Sequence, residues 1–182
     1  SAMMTSISIT REKELGTMEI LLVSPLKPFQ VIIGKVVPYI FLSIINAIII
    51  VLLSIFVFKM PVQGSLFLLA IESILFIITS LALGILISTI SASQQTAMMI
   101  SLMALMLPTI LLSGFIFPIS SMPLPLQIIS YIIPAKWFII ILKAIMLKGV
   151  GISFIWKETL ILVGMTLIFI ALSVKKYKIR LE

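Results

Sequence analysis

The chain alternates between short polar stretches and long runs in which nearly every position is apolar. Val36–Phe58 carries no charged residue. At 1.5 Å per residue it spans roughly 34 Å, enough for the hydrocarbon core of a bilayer. Lys59-Met60-Pro61-Val62-Gln63-Gly64-Ser65 then breaks the pattern, with Pro and Gly to end a helix and Lys at an interface. Leu66–Ile90 is a second run, interrupted by Glu72 alone. Ser91–Ala97 is polar but uncharged and predicts a short loop. Met98–Phe117 is a third span with Pro108 inside it, which frees backbone groups and predicts a kink. Residues 156–174 form a last span, flanked by Trp156 and by the basic stretch Lys175–Arg180.

Between the third and last spans the pattern changes. Residues 119–150 hold Pro123, Pro125 and Pro134, then Lys136, Lys143 and Lys148. Ile128–Leu147 is long enough to cross, but each Lys near a bilayer centre costs about 2.5–3.5 kcal/mol on insertion scales. Charge distribution separates the alternatives. With four spans both termini share a side, together with Arg11, Lys13, Lys27, Lys35, Lys175, Lys176, Lys178 and Arg180. Lys59, Lys136, Lys143, Lys148 and Lys157 lie opposite. Five spans put the two basic ends on opposite faces, against the positive-inside tendency. The region 119–150 is therefore expected to be a re-entrant helix pair on the outer side.

The amino-terminal part differs from everything after it. Ser1-Ala2-Met3, ahead of a second Met, reads as a leftover tag, and residues 1–9 are expected to be flexible. Residues 10–35 form a cytoplasmic loop. Arg11, Glu12, Lys13, Glu14 and Glu19 crowd its first half. Thr10 is placed to cap a short charged helix, with a break near Gly16-Thr17 and an apolar turn at the membrane surface.

Composition settles the class. The chain is 62% hydrophobic and 10% charged over 182 residues. A soluble domain is nearer a quarter charged. The expectation is an all-α integral membrane protein with four transmembrane helices, a short charged cytoplasmic helix and an outer re-entrant helix pair. A net charge of +7 reads as membrane orientation, not as a nucleic-acid surface. With no His and no Cys, thiol chemistry and His- or Cys-based metal sites are excluded, and no metal site is expected.

Enzymatic chemistry has little to stand on. Gly34-Lys35 is followed by Val36, and Phe29 sits where a phosphate-binding loop needs its first Gly. No catalytic residue is assigned. Glu72, the acid inside a span, reads either as a relay or polar lining, or as a side chain reaching interfacial water or Lys59. Asn46 reads as a polar lining or a helix–helix hydrogen bond. Ser80, Gly84, Ser88 and Ala92 place a small residue at every fourth position, a stripe that allows close helix packing. Met98, Met99, Met103 and Met106 read as ordinary packing.

Two motifs carry a resemblance. Arg11-Glu12-Lys13-Glu14-Leu15-Gly16-Thr17-Met18-Glu19 is followed by Leu21-Leu22-Val23-Ser24-Pro25 and by Gly34-Lys35-Val36-Val37-Pro38. Pro108 is followed by Leu112-Ser113-Gly114-Phe115-Ile116-Phe117-Pro118 and Met122-Pro123, then by Gln127-Ile128-Ile129-Ser130 and Pro134. Together they resemble the permease subunit of type-2 ATP-binding-cassette (ABC) exporters, from about residue 8 to 175. Such permeases usually have six spans, and this chain holds what resembles the last four.

The resemblance implies a translocation path in the inner or plasma membrane with both termini cytoplasmic. It implies a cytosolic ATPase that binds ATP-Mg, a second permease subunit and surrounding lipid as partners. No cofactor is expected on this chain. The charged segment would be a cytoplasmic coupling helix, with Arg11, Glu12, Glu14, Gly16, Thr17 and Glu19 coupling to the ATPase. Ser113, Gly114, Phe115, Pro118 and Pro123 would belong to the outer gate. An ion-coupled carrier or channel working through Glu72 is the alternative.

Overall fold

The computed structural model describes residues 2–15 and 28–179. The described residues form helices joined by short turns, with no strand among them. Helix α1 is Ala2–Glu14, α2 is Pro28–Phe56 and α3 is Leu66–Ile90. Helix α4 covers Gln94–Leu112 and is followed by a short 3-10 turn at Ile119–Ser121. Helix α5 is Leu124–Ser130, α6 is Pro134–Lys148 and α7 is Ile152–Ile179. Four of these are long and apolar enough to cross a membrane: Val36–Phe56, Leu66–Ile90, Gln94–Leu112 and Ile152–Lys176.

Side-chain ties give the directions of the helices. Thr159 on α7 bonds Glu72 on α3, and Thr166 bonds Thr79. Both helices advance seven residues between the two ties, so α3 and α7 run parallel. Helix α2 runs back along α3. Val36 clusters with Ile77 and Leu81, and a groove further on lies between Ile44–Leu52 and Leu66–Ile77. Helix α6 is antiparallel to α3. Phe138 stacks on Phe76 at 4.3 Å near the middle of α3, and Gln63 at its start donates to Met146 O at 3.1 Å. Helices α5 and α6 meet at an 81° bend over Tyr131–Ile133. The α5–α6 elbow thus lies beside mid-α3, and α6 ends where α3 begins.

Leu69, Ile141, Ile145, Met146, Ile155 and Leu162 form the main core, between α3, α6 and α7. Gly149 ends α6 with φ +64°, a conformation that Gly adopts without a Cβ penalty.

Several boundaries differ from the expectations. Residues 2–9 belong to α1, with Thr5, Ser6, Ile9 and Thr10 buried against α3 and α4. Thr10 is no cap: its hydroxyl donates to Ser6 O at 2.8 Å within the helix. A polar, weakly amphipathic sequence is held helical here by tertiary packing. Ser93 caps α4, accepting from Thr96 N at 3.2 Å, so the third span starts at Gln94 and absorbs half the expected loop. It stops at Leu112, before residue 117, because Gly114 turns the chain with φ +77°. Pro108 lacks the N–H that Ala104 O needs, and just ahead of it the helix widens to π geometry over Leu102–Met106. Met98, Met99, Met103 and Met106, expected to pack, are all exposed on the chain's own surface. The break expected near Gly16-Thr17 lies outside the described residues.

Candidate functional site

The parallel and antiparallel pairings collect the polar residues at two ends of the bundle. At the charged end lie the last turn of α1, the Ser91–Ser93 turn between α3 and α4, and Lys175 and Lys176 at the end of α7. At the opposite end, called the elbow end because α6 runs out to it from the elbow at mid-α3, lie residues 57–65, Ser113–Pro123 and the start of α7.

Helix α1 reaches its place because α3 is small where they meet. A Cβ at Gly84 would collide with the backbone carbonyl of Ala2. Ser88 is fully buried, and its carbonyl accepts from Lys13 Nζ. Ser80 lines a cavity of about 330 Å³ together with Ala2, Leu83, Pro108, Pro134 and Phe169. That cavity is almost wholly apolar and lies under the elbow.

Arg11 and Glu14 are exposed and Glu12 is half-buried. The Glu14 carboxylate accepts from the backbone N–H of Gln94 at 2.9 Å and from its side-chain amide at 3.1 Å. Those two bonds, the backbone one foremost, hold the Glu14 carboxyl below the usual carboxylate range. Gly16, Thr17 and Glu19 lie outside the described residues.

At the elbow end Ser113 is buried, and its hydroxyl has no hydrogen-bond partner among the described residues. Gly114 O accepts from Lys143 Nζ at 3.2 Å, which ties the end of α4 to α6. Phe115 is exposed. Pro118 O accepts from Ser121 N at 3.0 Å, and Pro123 O from Leu126 N at 3.0 Å as α5 begins. Pro residues thus start each short turn, where a missing N–H costs nothing.

Glu72 does not reach interfacial water or Lys59. It is 1% exposed, and its Oε1 accepts from Thr159 at 2.8 Å. Asn46 makes no bond to another helix among the described residues. Its amide donates to Leu42 O, one turn back on α2, at 2.8 Å. Lys136 is one of the charges that oppose insertion of 128–147 as a simple span. It is buried on the elbow, bonded to Ser130 Oγ at 3.0 Å and held 3.3 Å from the Tyr131 ring centroid. The cross-helix threonines Thr79, Thr159 and Thr166 were not foreseen. Their signal was the shared seven-residue step in two spans.

Residues 1–175 match the sequence profile of the family described as ABC-2 family transporter protein. The chain belongs to that family. It is 39% identical over 181 residues to the probable multidrug ABC transporter permease YbhS of Escherichia coli, covering 100% of this chain and 48% of that protein. It is 37% identical over 154 residues to the probable multidrug ABC transporter permease YbhR of the same organism, covering 85% of this chain and 42% of the relative. To ABC transporter G family member 20 of Dictyostelium discoideum it is 28% identical over 171 residues, 92% of this chain and 23% of that protein. The chain spans about half the length of the bacterial relatives it matches. No solved structure matches it.

Proposed function

We propose that this chain is the membrane-spanning permease part of an ATP-driven exporter, working with a separate cytosolic ATPase and a second permease subunit. The observation that carries the reading is the gathering of ionic residues at one end of an ABC-2 family bundle. Arg11, Glu12 and Glu14 stand there beside the α3–α4 turn, and Lys175 and Lys176 lie at the same end. Basic residues favour the cytoplasmic side, so this end, with the last turn of α1 and the end of α7, faces the cytoplasm, while Ala2 lies deeper in the bundle against Gly84.

Arg11, Glu12, Gly16, Thr17 and Glu19 form the docking stretch for the ATPase, while Glu14, expected in it, is engaged by Gln94. ATP-Mg belongs to that partner. The chain's Gly34-Lys35-Val36 lacks the pattern that cradles phosphates, and no step of hydrolysis runs through it. Helices α5 and α6 form a re-entrant pair on the outer side. The parallel α3–α7 pair supports this, since one crossing by α4 already returns the chain to the side from which α7 starts. Ser113, Gly114, Phe115, Pro118 and Pro123 line the outer gate above the apolar cavity. The exposed apolar residues of α2, such as Phe41, Ile45, Ile49 and Phe56, face lipid or the second permease.

YbhS and YbhR carry multidrug in their names, which supports drugs as cargo. Co-purification of the ATPase with the permease tests the assignment. Changing Glu12 and Glu19 to Lys is expected to abolish it, and retention of the ATPase by that variant would refute the docking role. The buried Oε2 of Glu72, with no hydrogen-bond partner among the described residues, favours a second reading as an ion-coupled carrier. That reading requires transport independent of ATP and lost in Glu72→Gln.

A further inference from the structure

Lys13 and Glu14 are neighbours on the last turn of α1, and they reach in opposite directions. Lys13 Nζ donates to the carbonyl of Ser88 in the last turn of α3. Carbonyls there lack intrahelical partners, and the helix end carries partial negative charge. Glu14 Oε2 accepts from the backbone N–H of Gln94, the first residue of α4, and from its side-chain amide. Unpaired N–H groups there carry partial positive charge. A cation thus sits on the negative end of one helix and an anion on the positive end of the next, on either side of Ser91-Ala92-Ser93.

Behind this pair the three helices are in close contact. Ile9 and Thr10 of α1, Ser88 and Ser91 at the end of α3, and Ala97 of α4 are all 2% exposed or less. The result is a joint of small residues and matched charges, with little room for relative sliding.

Chain connectivity gives the joint its consequence. The chain runs on from Leu15 to Pro28 at the start of α2, so α2 is joined to that segment by the chain itself. Helix α4 is some eighty residues away in sequence (|i−j| = 80 for Glu14 and Gln94) and has no such link. Yet α4 carries the π-helical stretch and Pro108, and leads to Gly114 and the elbow. We infer that Lys13 and Glu14 are positioning residues that transmit displacement of the cytoplasmic segment into α4, and through it to the elbow end. The inference rests on the exporter reading above and adds to it the route of motion inside the permease.

The absence of Cys from the chain makes the test direct. In the permease–ATPase complex in lipid nanodiscs, one environment-sensitive fluorophore is attached at Met103→Cys on α4 or at Ile48→Cys on α2. Both positions are more than half exposed. The signal is the change in emission on adding ATP-Mg. Glu14→Lys should reduce the change at 103 about fivefold, the lower end of ordinary coupling factors, and leave that at 48 in place. Adding Gln94→Glu to Glu14→Lys should restore most of the response at 103, by replacing the lost bonds with a new ion pair. The inference is overturned if Glu14→Lys leaves the response at 103 unchanged, if both reporters fall together, or if Gln94→Glu does not restore it. A wild-type permease that retains no ATPase would refute the exporter reading itself. A complex that binds ATPase and responds at 48, with 103 indifferent to residue 14, would refute only the transmission route.

Discussion

Helix α3 is held differently at its two ends. Toward the charged end it meets α1 through Gly84 and Ser88, with the partner backbone in direct contact. Toward the elbow end it meets α6 and α7 through Leu69 and Phe76, which interlock with Ile141, Ile145 and Leu162. In lipid, apolar side chains gain little by leaving one oily surface for another. Helices must then be joined by close backbone approach, by filled contacts or by polar ties. The charged end uses the first and third, the elbow end the second and third. The difference leaves α3 held by backbone contact at one end and by interlocked side chains at the other.

The contrast can be broken at either end. Gly84→Val is expected to have the largest effect, because a side chain there displaces the Ala2 backbone. Overpacking costs about 3 kcal/mol here, the upper end of its range, because backbone and not a flexible side chain is displaced, and the loss should appear as a clear fall in Tm of the purified permease. Gly164→Val, where a Cβ meets nothing within 4 Å, is the control that should leave Tm near the wild-type value.

At the other end Ile145→Ala leaves a hole beside Leu69 and Leu162. Its cost should be about 2 kcal/mol, the low end for a buried Ile, because the unfolded reference in lipid is already apolar. A Tm fall equal to that of Gly84→Val would erase the distinction between the two ends.

Thr166→Val removes the 2.6 Å tie to Thr79 and should cost about 0.6 kcal/mol, the mean for hydrogen bonds between membrane helices. The smallest effect concerns pH. The Glu14 carboxyl is held low by Gln94, so its contribution is present at neutral pH and is lost as pH falls through the lowered pKa, below the ordinary 4.5. The Tm difference between wild type and Glu14→Gln should therefore persist at pH 5 and close only in more acidic buffer. A difference that closes above pH 5 would show that the Gln94 bonds do not form.

Much of the architecture was legible along the chain. Membrane spans announce themselves because backbone groups in lipid must bond within the segment, so a long uncharged run has one stable form. Leu66–Ile90 was read to the residue for that reason. Prolines and lysines likewise marked 119–150 as different. The limits of α4 were harder, because Ser93 and Gly114 act through local backbone geometry that hydropathy does not register.

The candidate site was legible only in part. The stripe Ser80, Gly84, Ser88 was visible, but its partner was not, because α1 has no apolar face of its own to advertise burial. Glu72 stood out as an acid in a span, while Thr159 looked like any other threonine until α7 was laid parallel to α3.

By itself the sequence determined that this is a helical membrane protein of the ABC-2 family, because hydropathy and two motifs are properties of consecutive residues. Tertiary structure alone decided which helices touch and in which direction. It placed Lys13 on Ser88 and Glu14 on Gln94, residues some seventy-five to eighty positions apart. Such pairings depend on how whole helices pack, and no local period along the chain encodes them.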